Sequence, residues 1–493
     1  MKKLLLLLIA ACMLITCFAC GNGGNGQKPG YQPSPETKWD ELPDYDFEEK
    51  KFRVSTRGAY GNMEVVVADE DSENVVDVAL MYRNAKVEDR YNVVIDLQNN
   101  DGKGFVHTNI VLNACTLMMD TFDLAMTYVY ESSPLITNGF VLNWKKLPYT
   151  KLQQSHWIDG MNEAYSVRDV IYTAISKMCI SILGQTCAMV YNRDLGDEWK
   201  GEDFSNDLIQ TVLDGDGSEG GWTYDYLMNI VNEYGWEDAG NNGRTSDDYY
   251  ALYLTKDWAI DTWHAAWELP CVKNTKNGLE DVMMNEKYLT YAKRMRTMYY
   301  ETPGIFHGDR ALGSEPQSQA TAAFVSNRAL FTTVPLSRTL DTLPTAMGDT
   351  VYTILPQPKY DENQKEYRSA MFDNYSVMSV PITADAAFVS LICEALSIAS
   401  ETQVYLAYRI DALQGTGVSD ADSVDMLDIV LNNTAWDIAT LLSTQLRMIT
   451  MVREDIEQYA DKSQISQTYN SKQEDIAKKL GEIMDAFDRF QDN

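Results

Sequence analysis

The sequence predicts an α/β fold built on a parallel sheet, because extended segments and helical segments alternate near its start. The predicted strands are 51–55, 92–97 and 122–127, and the predicted helices between them are 74–91 and 105–119. Strand–helix–strand units of this length are typical of parallel sheets. Such sheets bind ligands beyond the ends of their strands. Here those ends carry 57–62 and 127–133.

The composition and net charge of the chain exclude several classes of protein. The 493 residues are 45% hydrophobic and 11% aromatic, which indicates more than one folded unit and excludes a disordered chain. Lys and Arg number 41 and Asp and Glu number 72, so the net charge of −31 repels nucleic acid. Because the chain has only four His, a His-rich metal site is not expected, and we expect neither metal nor cofactor.

The N-terminus has the pattern of a secretory signal. Two lysines precede an apolar run over 4–15, which is too short to span a membrane as a helix. The run leads to Ala19–Cys20–Gly21, which resembles a bacterial lipobox and implies a signal peptide over 1–19 and a lipid on Cys20. A Gly- and Pro-rich tether then extends to residue 45. This pattern predicts a lipid-anchored protein on the extracytoplasmic face of the cell membrane; the alternative is a cleaved signal without lipid.

Further along the chain, strand-like and helical segments continue to alternate. We expect extended segments at 170–176, 186–192, 328–334, 350–355 and 369–380, mostly helices over 222–300, and helices only after 381. Thr383 and Ser423 are candidate N-caps. The last helix carries an apolar stripe of Ile476, Leu480, Ile483, Phe487 and Phe490. Cys179 and Cys187 could form a disulfide, but their apolar surroundings favour buried thiols.

Common catalytic motifs are absent from the sequence. There is no GxSxG, no HExxH, no Walker loop and no GxGxxG after a strand. Asp214–Gly215–Asp216 begins like a calcium loop, but position 225 is Asp where an EF-hand loop has Glu, which favours a solvated turn.

Aromatic residues concentrate between Trp222 and Trp267, where half of the ten tryptophans lie. Sugar rings pack their C–H faces on aromatic planes, so the cluster is consistent with a carbohydrate ligand. The alternative is that these rings only pack helices together.

Five sequence segments that follow the tether are informative when they are taken together in their order along the chain. They are FDLAMTYVY at 122–130, NGFVLNWKKLPYTKLQQSHWID at 138–159, GGWTYDYLMNIV at 220–231, ILPQPKYDENQKEY at 354–367 and DADSVDMLDIV at 420–430. Together they resemble the solute-binding lipoproteins of carbohydrate ABC transporters, in the form common among Clostridia. The resemblance runs over about 50–440 and is specific for the family, but not for the ligand.

The resemblance implies a two-lobed, periplasmic-binding-protein-like α/β fold of type II with additional C-terminal helices. Lobe one is expected over 46–165 and 336–372, and lobe two over 166–335 and 373–493. A carbohydrate, on this view an oligosaccharide, binds between the lobes and passes to the membrane subunits of an ABC permease. The chain is expected to be a monomer without enzymatic activity.

On this reading the ligand-binding residues come from strand ends, from helices rich in aromatic residues and from a crossing segment. The strand ends of lobe one supply Arg57, Tyr60, Tyr128 and Glu131, and the segment before the first crossing supplies Trp157. Lobe two supplies Trp258, Trp263 and Trp267, of which at least one packs only. The crossing segment supplies Asp373, Asn374 and Tyr375. Trp222 is expected in the core.

Three positions depart from the family pattern. His156 stands where the family has Trp, Asn143 where it has Asp, and Gly221 where it has Lys. We expect these positions near the cleft, where they change the sugar that is bound or its affinity. Two other functions fit the same sequence: a glycosidase on the cell surface, with paired carboxylates across a cleft, and an adhesive lipoprotein without a small ligand.

Overall fold

The computed structural model describes residues 37–58, 74–100, 105–255, 258–308, 316–372, 374–415, 421–458 and 462–492. The helices of the first half are α1 (Thr37–Asp40), α2 (Val75–Tyr91), α3 (Phe105–Thr116), α4 (Ser133–Thr137), α5 (Asp159–Ala164), α6 (Ser181–Gln185), α7 (Arg193–Lys200), α8 (Glu202–Gly215), α9 (Tyr224–Tyr234) and α10 (Trp258–Ala266). Those of the second half are α11 (Glu286–Tyr300), α12 (Pro316–Val325), α13 (Ser337–Asp341), α14 (Leu343–Met347), α15 (Ala386–Thr402), α16 (Val404–Gly415), α17 (Ala421–Asn432), α18 (Ile438–Leu441), α19 (Ser443–Leu446), α20 (Met448–Gln458) and α21 (Lys462–Phe490).

The first sheet is the parallel layer that the sequence predicts. Its strands are β1 (Lys50–Arg57), β2 (Val93–Asn100), β3 (Leu124–Tyr128) and β12 (Ser376–Ser379), in the order β12–β3–β1–β2. Strand β1 is parallel to β2 and to β3, whereas β12 is antiparallel to β3. Phe52, Val54 and Leu124 are fully buried, as expected where helices cover the sheet.

A second, mixed sheet forms the other half of the fold. Its strands are β4 (Cys187–Asn192), β5 (Trp236–Glu237), β6 (Tyr249–Thr255), β9 (Ile305–Gly308), β10 (Ala329–Pro335) and β11 (Tyr352–Leu355). They run in the order β11–β4–β10–β6–β5, with β9 beside β6, and a separate hairpin joins β7 (Val272–Thr275) to β8 (Gly278–Asp281). Strands β4, β10 and β11 are buried along their whole length, so both faces of this sheet are covered.

The lobe boundaries differ from those predicted. We placed 336–372 in lobe one, but β11 pairs with β4 in the second sheet. We placed 373–493 in lobe two, but β12 pairs with β3 in the first sheet, and α15 packs on α2 of the first lobe. The chain therefore returns to the first lobe between β11 and β12. The prediction was wrong because strand pairing over such long separations leaves no local signal in the sequence.

Two segments have a different secondary structure from that expected. The region 222–300 contains strand β6 and the β7–β8 hairpin between its helices. Strand β6 reads YYALYLT and is buried on both faces, so the alternation that marks a half-buried strand is missing. The segment 170–176 forms isolated bridges, such as Ala174 with Met378, and not a regular strand.

Two helix starts are also corrected. Helix α15 is capped by Asp385, whose Oδ1 accepts from the Phe388 backbone N–H at 3.1 Å, and not by Thr383. Ser423 lies within α17 and not before it. The stretch Ala386–Ile410, which begins with α15, is long and apolar enough to cross a membrane, but 83% of its apolar window is buried inside the protein, as in a core helix.

The C-terminal helix α21 packs against both lobes. Near its start the Tyr469 hydroxyl donates to Asp281 of the hairpin, and Lys472 pairs with Glu454 at 3.8 Å. Near its end, the Phe487 ring lies 5.0 Å from the Tyr172 ring, and Phe490 packs against Gly139. The predicted apolar stripe is therefore confirmed, with four members buried and Phe490 packed against the core.

The PKYDENQ loop at 358–364 is structural, because it holds a buried lysine, Lys359. The Lys359 ammonium donates to the backbone oxygens of Gly215 at 2.7 Å, Ser218 at 2.9 Å and Lys365 at 3.3 Å. The first of these carbonyls ends α8, where a cation is favoured by the helix dipole. Burial lowers the pKa of Lys359.

Replacing Lys359 with Met should lower the free energy of unfolding by about 2–3 kcal/mol, because hydrogen bonds from a charged group are lost and buried carbonyls stay unpaired. Chemical denaturation measures the change. Lys365→Met, at an exposed position of the same loop, is the matched control and should change it by less than about 0.5 kcal/mol. Equal effects of the two substitutions would show that the buried ammonium stabilises nothing.

Candidate functional site

A cavity of about 380 Å³ lies between the two lobes. Its described lining residues come from both lobes and from the segments that join them. They are Tyr130, Gly160, Ala164, Tyr165, Asp261, His264, Ala265, Glu268, Leu269, Pro270, Arg368, Ala370, Met371, Tyr375, Thr434, Ala435, Trp436, Asp437, Thr440, Ile449 and Val452. A pocket at the junction of two lobes is a common place for a small-molecule site.

Lobe one contributes a lining residue, Tyr130, from the turn that follows β3. The Ser132 hydroxyl donates to the backbone oxygen of Tyr128 at 2.7 Å and lies 2.7 Å from the Thr127 hydroxyl, so it closes a short 3₁₀ turn over Val129–Glu131. The ring of Tyr130 in this turn stacks on the ring of Tyr128, the last residue of β3, with centroids 5.7 Å apart. The turn therefore directs Tyr130 into the cavity from the carboxyl end of a sheet strand.

Three more aromatic rings form one wall. The hydroxyls of Tyr165 and Tyr375 lie 2.6 Å apart, and the Tyr375 ring meets the Trp436 ring edge-on at 6.0 Å. Gly160 lies beside Trp436, and a Cβ at this glycine would sit 3.8 Å from the indole. Trp436 is only partly buried, so part of its surface remains available in the cavity.

Most of the charged groups around the cavity are paired. Asp261 on α10 accepts from the guanidinium of Arg453 on α20. Glu268 pairs with Arg368 at 3.0 Å, and both side chains stay about a third or more exposed, with relative exposures of 41% and 33%. This ion pair joins lobe two to the segment that crosses back to lobe one.

Asp437 is held by backbone groups. Its Oδ2 accepts from the Cys271 N–H at 2.6 Å, and its Oδ1 accepts from Ala439 at 2.9 Å and from Val272 at 3.4 Å. Burial raises the pKa of Asp437 to about 6, although these N–H groups oppose the shift. The residue keeps some accessible surface because it faces the cavity.

Five of the predicted site residues form a second cluster next to the cavity. Arg57 lies over the Tyr128 ring at 4.8 Å and donates to Asn374 Oδ1 at 2.9 Å. Tyr375 follows in the chain, and Glu131 is buried in the turn after β3, where burial raises its pKa and Arg57 lowers it. Stacking of Tyr128 on Tyr130 connects this cluster to the cavity. A role of these five residues in ligand binding stays a prediction.

The remaining predicted contacts divide into two groups. Tyr60 and Asp373 lie outside the described residues, as does the side chain of Trp258. Trp157, Trp263 and Trp267 are described, and all three are buried in the core, with exposures of 2%, 0% and 0%. Their expected role as stacking rings is not met in this structure, because neighbouring side chains already cover their faces.

Trp157 illustrates the reason. Its indole donates to Glu394 Oε2 at 2.9 Å, and its ring meets Trp144 edge-on at 5.4 Å. The same carboxylate, fully buried, accepts from the Lys151 backbone N–H at 3.2 Å and lies 2.8 Å from His156 Nε2. Trp157 is therefore one of several partners of a buried carboxylate, a role that short-range sequence patterns do not reveal.

The aromatic cluster between Trp222 and Trp267 packs lobe two together. Trp263 and Trp267 lie four residues apart, and their ring centroids are 5.5 Å apart. Trp267 donates to the Pro358 oxygen at 3.1 Å, and Trp222 donates to the Pro356 oxygen at 3.1 Å. Trp222 is fully buried, as predicted. The alternative that these rings pack elements together therefore describes this structure.

The three departures from the family pattern have structural roles. His156 pairs with Glu394, as described above. Asn143 accepts from the backbone N–H of Lys145 at 3.1 Å and of Ile171 at 3.2 Å. Gly221 has φ of +80°, and a Cβ there would lie 2.6 Å from the Gly215 Cα. None of the three lines the cavity, so the expectation that they alter the ligand is not supported.

The cysteines follow the expectation of buried thiols. The five cysteines of the body are buried, and the structure holds them as thiols. No cluster of His, Cys, Asp and Glu able to hold a metal ion occurs among the described residues. Asp214 lies within α8 and Asp216 caps its end.

Of the described lining residues, only Tyr375 was predicted from the sequence; those that were missed include Tyr130, Tyr165, His264 and Trp436. Tyr130 lies within the strand-end segment 127–133, so that segment was located although this residue was not chosen. Trp436 ends the short connection NTAW at 433–436, which joins α17 to the Asp437 cap. An aromatic residue in a polar connection was a usable signal. His264 gave none, because a single buried ring in a helix looks like core. Tyr165, which directly follows α5, gave none either.

Comparison with known proteins defines the class of fold. No protein-family model and no curated protein matches the sequence. Among solved structures, Lmo0181 from Listeria monocytogenes, an ABC substrate-binding protein in complex with cycloalternan, is 9% identical with a TM-score of 0.54, covering 88% of this chain and 99% of that one. Maltose-bound MalE3 of T. maritima is 11% identical with a TM-score of 0.51, covering 87% and 99%.

A third structure, an ABC transporter solute-binding protein from Thermotoga lettingae bound with α-D-tagatose, is 12% identical with a TM-score of 0.50, covering 88% of this chain and 100% of that chain. The chain thus has the two-lobed α/β fold of these binding proteins, as predicted, over nearly their whole length.

The raised pKa of Asp437 has a consequence for stability. An unfolded Asp has a pKa of about 3.9, so between about pH 4 and 6 the native state holds this proton more tightly. Stability is therefore lost as the pH rises through 6. From pH 5 to pH 7, the wild type should lose about 1 kcal/mol of unfolding free energy relative to Asp437→Asn, which does not titrate. Denaturant unfolding at both pH values measures this, and a pH-independent difference would contradict the assignment.

Proposed function

We propose that the protein is an extracytoplasmic solute-binding protein that captures a carbohydrate between its lobes and delivers it to an ABC permease. The observation that carries this proposal is the cavity between the lobes, with its wall of Tyr130, Tyr165, Tyr375 and Trp436. Aromatic rings bind the C–H faces of sugars, and nearby carboxylate, imidazole and hydroxyl groups can bind their hydroxyls. Two solved structures with the same fold are described with bound maltose and bound tagatose.

The arrangement of the cavity favours capture over catalysis. A glycosidase needs two carboxyl groups that act on one bond, one as an acid and one as a base or nucleophile. Asp261 is engaged by Arg453, Glu268 by Arg368, and Asp437 by three backbone N–H groups. These partners support a role in positioning the lobes and the ligand. The chain is thus proposed to be a binding protein that acts as a monomer, and hydrolysis of the bound sugar is the assay that tests the alternative.

Lobe closure is the proposed means of transport. The chain passes between the lobes in the segments before β4 and between β11 and β12, and both passages contribute to the cavity wall. A ligand that contacts residues of both lobes stabilises whichever arrangement brings them together. The permease would then recognise that arrangement.

We also propose that a lipid on Cys20 anchors the body to the outer face of the cell membrane. The support is the sequence alone: the apolar run over 4–15, Ala19–Cys20–Gly21 and the tether that follows.

The proposal is tested by sugar binding. Thermal unfolding of the purified body should shift upward in the presence of at least one neutral sugar, because a ligand at 100 times its dissociation constant adds about 2.7 kcal/mol. Titration calorimetry gives the affinity, and incubation with the same sugar tests for hydrolysis. Hydrolysis, or a flat response to a broad sugar panel, would contradict the proposal.

Replacing Cys20 with Ala should prevent lipid attachment, so that the body is released into the medium or kept as an uncleaved precursor. Cell fractionation with an antibody to the body measures its location. Cys179→Ala, at a buried cysteine far from the lipobox, is the control and should leave the protein in the membrane fraction. Membrane-bound mature Cys20→Ala protein would refute lipid anchoring.

A further inference from the structure

The described surface of the protein concentrates its exposed apolar side chains in one place. Ten large hydrophobic residues of the described chain are exposed, and five of them lie between positions 106 and 119: Val106, Ile110, Leu117, Met118 and Met119. The first two lie one helical turn apart on α3, and the other three directly follow that helix. These five residues form the α3 face. Single exposed apolar residues are common on proteins, but a cluster of them marks an interaction surface.

The α3 face also lacks charge. Residues 105–119 contain no Lys, Arg, Asp or Glu, although 23% of the whole chain is charged. The exposed positions between the apolar ones are Asn109, Asn113 and Thr116, which are polar but neutral. Because a surface helix ordinarily presents charged side chains to water, this composition favours contact with an apolar partner.

The turn that ends α3 carries an apolar side chain where the backbone disfavours one. The Met119 N–H donates to the Ala114 oxygen at 2.9 Å and the Met118 N–H to the Cys115 oxygen at 3.0 Å, which are the two bonds of a Schellman turn. Met118 has φ of +52°, a conformation in which glycine or asparagine is usual at this position. Its side chain is 60% exposed, so the fold gains little from it. A contact outside the described body accounts for an apolar side chain here.

The Leu117–Met119 end of the α3 face lies at the edge of the first sheet where the chain enters the body. The Thr383 hydroxyl donates to the Met119 backbone oxygen at 3.5 Å, and Asp385, two residues further on, pairs with Lys50 at 3.1 Å. Lys50 is the first residue of β1, which follows α1 along the chain. Since β1 and β3 are parallel, this edge is opposite to the turn after β3 that lines the cavity. The α3 face is therefore separate from the proposed sugar site.

The proposed lipid anchor brings a bilayer to this edge. Residues 20–36 connect the lipid on Cys20 to Thr37, at which α1 begins. A flexible chain of that length has a root-mean-square span of about 20–25 Å. Such a tether keeps the edge at an effective concentration on the order of millimolar relative to the bilayer, so a modest apolar area is enough to hold it there.

Charge favours a bilayer over a second copy of the chain as the partner. Two copies with a net charge of −31 each repel one another. Anionic headgroups repel an acidic body as well, but least where its surface is uncharged. At this edge, Lys50 and Lys51 pair with Asp385 and Asp96, and the two lysine side chains stay 41% and 63% exposed. Long lysine side chains can reach headgroups while apolar neighbours contact the acyl region.

We propose that the α3 face rests on the lipid bilayer in which Cys20 is anchored. The interface of the bilayer takes up the side chains of Leu117, Met118 and Met119, and the lysines at the start of β1 lie at headgroup level. The inference rests on the proposed lipid anchor and adds to it the surface by which the body meets the membrane.

Hydroxyl-radical footprinting of the mature chain tests the contact. The unacylated chain is coupled through the Cys20 thiol to a maleimide lipid in vesicles of phosphatidylcholine and phosphatidylglycerol, and the coupling is specific because the five cysteines of the body are buried. Coupling should slow the oxidation of Met118 and Met119 by about threefold or more, the value for a contact that is made about two thirds of the time. Tyr249 and Tyr300, which are exposed in lobe two, should react as before. Because the coupling is chemical, the result does not depend on lipid attachment in the cell, which fractionation of the Cys20→Ala variant tests separately.

A pair of variants separates the apolar side chains from the tether. Leu117→Ser combined with Met118→Asn removes apolar surface and suits the left-handed turn, so the melting temperature should not fall. In this coupled variant, Met119 should be oxidised at the rate of the uncoupled chain. Tyr249→Ser combined with Tyr300→Ser, at exposed positions of lobe two, is the control and should keep Met119 protected.

Three outcomes would overturn the inference. The first is an unprotected Met118 and Met119 in the coupled wild type, or equal protection of Tyr249 and Tyr300. The second is protection of Met119 that survives the loss of the two apolar side chains beside it. The third is protection in the uncoupled chain that rises with protein concentration, which would assign the α3 face to a second copy.

Discussion

The antiparallel pairing of β12 with β3 is the interaction on which the site depends. After β11 the chain leaves the second sheet, crosses between the lobes and adds β12 to the edge of the first sheet, where Ser376 pairs with Tyr128 and Ser379 with Ala125. The crossing ends in Tyr375, so this ring enters the space beside the turn that follows β3. The same pairing brings Asn374 within reach of Arg57 at the end of β1. One strand register thus assembles the cavity wall from parts of the chain about 250 residues apart.

Buried polar groups hold the connecting segments in place around this strand. Lys359 closes the loop that leaves the second sheet. Glu394 binds the side chains of His156 and Trp157 in the segment that leaves the first lobe. Asp437 accepts a hydrogen bond from the start of the β7–β8 hairpin. In each case a charged side chain is satisfied by several partners from distant segments. Removing one partner leaves a charge or a carbonyl unpaired, which costs more than an exposed ion pair contributes. These groups therefore set the geometry of the connections, and the cavity takes its shape from them.

Local patterns in the sequence predicted the parts of the fold that depend on local physics. The parallel layer over β1–β3 and the buried stripe of α21 follow from periodicity and composition. The lobe boundaries do not follow from them, because they depend on which sheet β11 and β12 join.

The site was predicted only in part. The strand-end segments were located, but the rings expected to stack were chosen from the densest aromatic cluster, which packs lobe two. Trp436 stands alone in a connection between two helices, and its position beside Tyr375 arises only in the folded chain.

Hydrogen exchange with and without a bound sugar tests the central claim, that the ligand lies in the cavity between the lobes, most directly. The account predicts slower exchange on sugar addition in the segments that line the cavity: 160–165 and 434–440 in the connecting segments, and 261–270 in lobe two. Exchange in α7 and α8, which do not line the cavity, should be unchanged. Protection confined to other parts of the chain, with a sugar that binds, would contradict the account.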